Sequence, residues 1–456
     1  METRQPTKDF SHFIHGLTLD KIPQATLQCV KTSLLDSIGD GIYGASTKWC
    51  GIMNQFIQEQ GGPQDATLWA TGFKGPAANV ALGVGTMIHS FELDDYHSGA
   101  KLHPSAAVLP AALAVGEKLG VSGKDLMLSL VAGFETMIRI SLGTGTVSAR
   151  LRGWHLTGTC GTFGAAAAAG KLMGLTEDQL TSALGLAGTQ SAGLMAFTAD
   201  GSDSKRLHPG KSAQSGIYAA ELAQRGFTGP SKILEYGDGG FCRASSDNYD
   251  LDRLTERLGE YFVSGDLSLK PYSCCGSLHS SIDCAFELVK HHNISPDDIA
   301  KVIVHNSHVV KIQNDWKYVP ISAVQAQMNI RYCVAVAIVE GKAFFEQFTD
   351  AKIFDPRLVE LAGKVEFVID PEIDALYPTT FPGKLEIILK NGKSHMHSVP
   401  GPKGSPQNPM TWTDVSAKAR AQLNAALAPS VTESIIEMVT EFENLKDIRK
   451  LTALLS

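Results

Sequence analysis

The hydrophobic period of this chain changes twice, and that double change limits its fold more than any single motif. From about residue 24 to 43 the apolar positions Val30, Leu34, Ile38 and Ile42 recur every four residues, the spacing of a core-facing helical stripe. Ser122 and Asp125 precede Leu126, Leu130, Phe134 and Ile138, a cap followed by a second helix. Residues 164 to 173 are Ala-rich, and Thr176-Glu-Asp-Gln179 is a capping box that leads into Leu180 and Leu184. The first 265 or so residues are therefore predicted to be almost all helical, with many Ala and Gly positions at which backbones can approach closely.

After Lys270 the period falls to two. Lys301-Val-Ile-Val-His305 and Lys364-Val-Glu-Phe-Val-Ile369 are short, β-branched runs bounded by turn residues. Leu385 to Lys390 and Lys393 to Val399 flank Asn391-Gly392, which predicts a hairpin closed by a type I′ turn. Between the strands, Ala323 to Val339 is predicted as one apolar helix ended by Gly341. From Met410 onward Val431, Ile435, Ile436, Val439 and Phe442 return to helical spacing. The expected fold is mainly α: an all-α domain of residues 1–267 plus 405–456, with an inserted smaller α+β domain at 268–404. The Pro/Gly-rich stretch 400–409 serves as a connection between them.

Composition narrows the function. At 456 residues, 43% hydrophobic and 19% charged, the chain has ample material for a large core. Forty basic against 47 acidic residues give a net charge of −7, and no basic run carries interleaved aromatics, so nucleic acid is not an expected partner. No membrane partner is expected either, since no apolar stretch approaches about 20 residues without a polar break. The opening METRQPTKDFSHF lacks an apolar export signal, and a cytoplasmic location is the expectation. Eight cysteines, at 29, 50, 160, 242, 274, 275, 284 and 333, form no disulfide framework and contain no C-x-x-C, which argues against a cubane iron–sulfur cluster. H-E-x-x-H, Walker A and G-x-G-x-x-G motifs are missing as well, so no cofactor and no metal is expected.

The densest polar segment runs from Phe91 to Ala106 and holds Glu92, Asp94, Asp95, Tyr96, His97, Lys101 and His103 between apolar stretches. Ionisable groups flanked by core helices are placed to have their proton affinities shifted. Pro104 suits the first turn of a helix, which puts His103 at an N-terminal end that favours an anion. A solvated loop whose charges cap neighbouring helices is the plainer alternative, and a divalent ion held by Asp94, Asp95 and the two histidines is a third. Three more segments carry candidate groups. His155 follows Gly153-Trp ahead of a glycine-rich helix start, where a packed structural role competes with a place in a cleft. Ser202-Asp-Ser-Lys205-Arg206-Leu-His208 concentrates cations that fit either a surface or a carboxylate. Lys270-Pro-Tyr272-Ser-Cys-Cys-Gly276 opens the α+β segment, at a domain junction of the kind that often holds a ligand.

Taken together and in order, Leu34-Leu-Asp36-Ser-Ile-Gly, Glu92-Leu-Asp-Asp-Tyr-His with His103-Pro-Ser, Gly153-Trp-His155, the Lys205 loop, Lys270 with Cys274-Cys275-Gly276, and the helix around Tyr332 resemble the MmgE/PrpD family over almost the whole chain. That family includes aconitate decarboxylases, 2-methylcitrate dehydratases and iminodisuccinate epimerases. The resemblance implies a helical domain built from both chain ends, an α+β lid, a homodimer, and a cofactor-free site between the domains for a small di- or tricarboxylate. Proton transfer at the carbon next to a carboxylate is the chemistry it implies. His103 is then the principal acid/base, with His155 as its partner or a carboxylate ligand, Asp94 or Asp95 orienting His103, Tyr332 donating a hydrogen bond or proton, and Lys270 and Lys205 supplying positive charge. Arg206, Glu92, Asp95 and His97 complete the substrate-binding set. The acidic loop lacks the Asn-Asp-Thr pattern of the dehydratases, so a lyase of the decarboxylase type is the first expectation. An epimerase, a dehydratase and a non-catalytic dicarboxylate-binding paralogue are the alternatives.

Overall fold

The computed structural model describes residues 4–199, 201–377 and 380–456. The chain is mainly α, about 60% helix and 9% strand. It divides into two compact units, one of Met1–Ser90, Asp94–Leu267 and Thr411–Ser456, the other of Phe91–Leu93 and Ser268–Met410.

In the first unit the helix Leu156–Leu172 is central and packs against Pro104–Leu119, Gly123–Thr144, Glu177–Thr189 and Ser204–Gln224. Apart from Phe163, its Ala/Gly-rich sequence leaves little side-chain bulk to hold these neighbours apart. The same economy of volume brings Ala77–Ile88 against Ser204–Gln224: a Cβ on Gly210 would lie 2.1 Å from the carbonyl oxygen of Leu82, and one on Gly85 would lie 2.6 Å from the Cα of Gly210. Both capping boxes form, Ser122 with Asp125 and Thr176 with Gln179. Gly123–Thr144 is long and apolar enough to cross a membrane, yet 89% of its apolar window is buried. Within it Glu135 and Arg139 pair at 2.8 Å, both buried, which makes it a core helix of this unit.

The chain's end returns to this unit through a buried ionic contact. Lys418, on the helix Trp412–Leu423, places Nζ 2.7 Å from Asp36 Oδ1 and 3.4 Å from Asp40 Oδ1 on the helix Gln24–Gly44. Gln422 Nε2 donates to Asp40 Oδ1 at 2.6 Å. Burial pushes the Asp36 carboxyl well above the usual carboxylate range, with Lys418 opposing the shift.

The second unit holds a four-stranded sheet in the order Val365–Ile369, Ile299–Asn306, Gly383–Leu389, Ser394–Val399. The first pair is parallel and the other two are antiparallel. Val302, Val304, Leu385 and Ile387 alternate inward onto a core completed by Ile282, Ile330 and Val334 from helices His279–His292 and Ile330–Glu340.

Two local expectations need correction. The hairpin closes through three residues, since Leu389 pairs with Lys393 and the Gly392 N–H donates to the Leu389 carbonyl. Gly392 has φ +84° while Asn391 does not enter the left-handed region, so the turn is not type I′ and the Asn391 side chain instead accepts from the Lys393 N–H. The predicted 323–339 helix is two helices, Ala323–Gln327 and Ile330–Glu340. Asn329 breaks it by capping the second: its Oδ1 accepts from the Tyr332 N–H while its Nδ2 donates to the Trp316 carbonyl.

Candidate active site

In the first unit, four histidines and a carboxylate converge from the ends of four helices. Pro104 at the first helical position makes His103 the N-cap of Pro104–Leu119, and His155 is the N-cap of Leu156–Leu172. His89 closes the C-terminus of Ala77–Ile88, and His208 lies in the early part of Ser204–Gln224 with Lys205 and Arg206. The His103 N–H donates to Thr157 Oγ1 at 3.2 Å, which ties two helix N-termini together. A third N-terminus joins where His155 Nδ1 meets His208 Nδ1 at 2.9 Å. Three positive helix ends and Lys205 favour an anionic ligand.

The loop between residues 94 and 103 divides its acids by role. Asp94 is the one that faces the histidines: its Oδ2 lies 2.6 Å from His89 Nδ1 and 3.1 Å from His103 Nδ1. Asp95 turns the other way and holds the helix start, accepting from Ser105 N at 3.1 Å and from Ser105 Oγ at 2.6 Å. His103 Nδ1 also lies 2.8 Å from the Asp95 carbonyl oxygen. A carbonyl only accepts, so Nδ1 carries the proton and Nε2 is left as the basic atom of the neutral ring. His97 serves the loop itself. Its backbone pairs with Leu102 and its buried Nδ1 accepts from the Ala100 N–H at 3.0 Å.

Burial governs the charges here. It lowers His89 and His97 each to about 4, and Asp94 opposes the shift at His89. It carries His155 well below its usual range, with His89, His208 and Lys205 pushing the same way. Burial, followed by Lys205, lowers His208 also. Asp95 is raised to about 6, again by burial, against the hydrogen bonds from Ser105. His89, His155 and His208 are thus neutral imidazoles near pH 7.

Arg206 is a brace. Its guanidinium stacks 4.2 Å from the Trp49 ring centroid, and Nε donates to the Ser90 carbonyl at 3.2 Å, next to His89. The ligand atoms of His89, Asp94 and His103 all lie within 4.8 Å of one another, the makings of a metal cluster. Asp94 Oδ2 lies 2.6 Å from His89 Nδ1, a hydrogen-bond distance shorter than the roughly 3 Å that ligand atoms keep around a divalent ion at about 2.1 Å bond length, while its 3.1 Å from His103 Nδ1 fits either arrangement.

The remaining predicted residues belong to the second unit. Lys270 Nζ pairs with Glu92 Oε2 at 3.2 Å, Lys270 being 2% exposed and Glu92 holding a left-handed φ of +57°. Ser273 Oγ and Gln327 Nε2 both donate to the Phe91 carbonyl and fix this tripeptide. Tyr332 is fully buried between Tyr318 and Phe348, and its hydroxyl donates to the Gln347 carbonyl at 2.7 Å. The structure thus brings His103, His155, Asp94 and Lys205 together within one unit and pairs Lys270 with Glu92 in the other. It engages Asp95, His97, Arg206 and Tyr332 in local support. His89 and His208 were not predicted as site residues. His89 could have been noticed as a histidine ending an apolar run five residues before Asp94.

Residues 8–254 match the MmgE/PrpD N-terminal domain and residues 272–444 the MmgE/PrpD C-terminal domain, so the chain belongs to the MmgE/PrpD family. Family members with curated names include lyases. The chain is 30% identical to a cis-aconitate decarboxylase of Aspergillus terreus, over 99% of this chain and 96% of the relative. It is 29% identical to the cis-aconitate decarboxylase of Homo sapiens, over 100% and 95% of the two chains. A mitochondrial 2-methylcitrate dehydratase of Yarrowia lipolytica is more distant, at 21% identity over 86% of this chain and 78% of its own.

Proposed function

We propose that this protein is a metal-independent lyase that decarboxylates a small unsaturated tricarboxylate of the cis-aconitate kind. Carbon dioxide leaves with cleavage of a C–C bond, the bonding electron pair moves into the system conjugated with a neighbouring carboxylate, and an imidazolium N–H, charged from solvent, delivers a proton to carbon. The observation that carries the reading is the state of His103: Asp94 Oδ2 and the Asp95 carbonyl both face Nδ1 and leave Nε2 to exchange a proton with substrate. Asp94 stabilises the imidazolium whose Nε2–H gives its proton to carbon, which returns the ring to its neutral Nδ1–H form until solvent restores the proton, and Lys205 with three helix N-termini offsets the substrate's negative charge. The similarity to cis-aconitate decarboxylases over nearly the full chain supports the choice among reactions that share a carbanion-like intermediate.

The test is product NMR in deuterium oxide with cis-aconitate, trans-aconitate, 2-methylcitrate and iminodisuccinate. Carbon dioxide release with one deuteron placed on product carbon supports the reading. Loss of water from 2-methylcitrate would make the protein a dehydratase, inversion with deuterium exchange an epimerase, and binding without exchange a non-catalytic paralogue. His103→Ala is expected to cut kcat by about 10²- to 10⁴-fold with the fold retained; full activity in that variant would overturn the assignment of His103.

A further inference from the structure

We propose that His89 is a positioning residue for this site, an N–H donor that locks the Asp94 carboxylate in the rotamer that receives His103. The inference rests on the acid/base reading of His103 given above. Two imidazoles address one oxygen, His89 Nδ1 at 2.6 Å and His103 Nδ1 at 3.1 Å from Asp94 Oδ2. An ionised carboxylate only accepts, so His89 carries its proton on Nδ1. The His89 ring also stands edge-on to that of His103, with centroids 4.7 Å apart and planes at 67°, so one side chain constrains both members of the catalytic pair.

The placement of His89 argues against simple core filling. It is 2% exposed, and its Nε2 has no hydrogen-bond partner among the described residues. A buried acceptor without a partner is costly, and an apolar residue of similar shape would pack there without that penalty. What the imidazole supplies and a leucine cannot is the Nδ1–H. Its position is fixed from two sides. Arg206 binds the carbonyl of Ser90, the next residue. The helix Gln24–Gly44 packs against the turn before it so closely that a Cβ on Gly44 would lie 2.0 Å from the Met87 carbonyl oxygen. The donor is therefore held rigidly while Asp94, in a loop, is the partner that needs holding. A displacement of about 1 Å at such a carboxylate costs roughly 100-fold in rate.

The test compares His89→Leu, which removes the donor, with His89→Asn, whose Nδ2 can occupy the Nδ1 position, under steady-state kinetics with cis-aconitate. His89→Leu is expected to lower kcat by about 10- to 100-fold with KM changed less than about threefold, and His89→Asn to recover most of the loss. The same pair in an Asp94→Asn background should show no further loss, because the interaction being removed is already gone. Wild-type kcat in His89→Leu, equal losses in both variants, or a rise in KM at constant kcat would overturn the role. If His89→Leu fails to fold, His89→Asn and the Asp94→Asn cycle decide, since a purely structural histidine would give losses that add. A fully active His103→Ala control would instead overturn the acid/base reading and not the placement of His89.

Discussion

His155 and His208 meet Nδ1 to Nδ1 at 2.9 Å, so one ring must donate and the other accept. Only one proton can occupy that contact, and both rings are held below the usual histidine range by burial. His155→Ala is expected to lower kcat/KM by about 10²- to 10⁴-fold, whereas His208→Asn, which keeps a hydrogen-bonding atom near the same place, should lose roughly tenfold. Steady-state kinetics with product NMR checks both. Equal losses would mean that the two rings act as one unit.

Asp95 binds the first turn of Pro104–Leu119 with both carboxylate oxygens. Asp95→Ala should cost about 1–3 kcal/mol of unfolding free energy, because a buried N–H and hydroxyl lose their acceptor, and Asp95→Asn about half of that. Urea unfolding measures the difference. A neutral effect of Asp95→Ala would show that the helix start needs no such anchor.

His97 provides a pH signature. Its folded value of about 4 lies below the unfolded value, because protonation would cost burial energy and the bond from Ala100. The unfolded chain therefore binds the extra proton first: this contribution is complete above about pH 6.5 and is lost as pH falls toward 4. His97→Asn should make stability less sensitive to acid, with the gap between variant and wild type narrowing by about 2–3 kcal/mol between pH 7 and 4.5. Parallel stability curves would contradict it.

Lys270 and Glu92 form a buried pair whose members cannot be removed singly without leaving a charge behind. Lys270→Ala is expected to destabilise the protein by about 3–5 kcal/mol and to abolish activity. The double variant Lys270→Met with Glu92→Gln should regain much of the stability and none of the activity. Recovery of activity in the double variant would limit Lys270 to a structural role.

Removal of metal is expected to change nothing. Dialysis against EDTA should leave kcat within about twofold of the untreated enzyme, because every step of the proposed reaction uses imidazole, carboxylate and ammonium groups. Activity that disappears and returns with one particular divalent ion would require His89, Asp94 and His103 to be reassigned as its ligands.

The elements that could be read from the sequence are those whose packing faces one direction. Val30, Leu34 and Ile38 all point to one core, so their spacing is a sufficient record of the helix Gln24–Gly44. The break in the 323–339 helix and the form of the 389–393 turn escape the pattern for the opposite reason, because Asn329 and Asn391 each act through side-chain bonds to backbone that leave no periodic trace. In the site, His103 was legible because Pro104 marks a helix start. The division of labour between Asp94 and Asp95 was not, since adjacent carboxylates look alike until the loop's turn sends one toward Ser105 and the other toward the imidazoles. At His89 the sequence offers only a histidine at the end of an apolar run, and the pairing with Asp94 depends on how the chain turns after the helix has ended.

The contact between Lys418 and the Asp36–Asp40 turn has a consequence during synthesis. Asp40 and Gln422 are 382 residues apart, which at about 5–20 residues per second means that a ribosome works for roughly 20 to 80 s between them. Throughout that interval the nascent chain carries two carboxylates destined for an interior whose cation has not yet been translated. Only when the last segment emerges do Asp36 and Asp40 meet the ammonium and amide that face them in the folded unit.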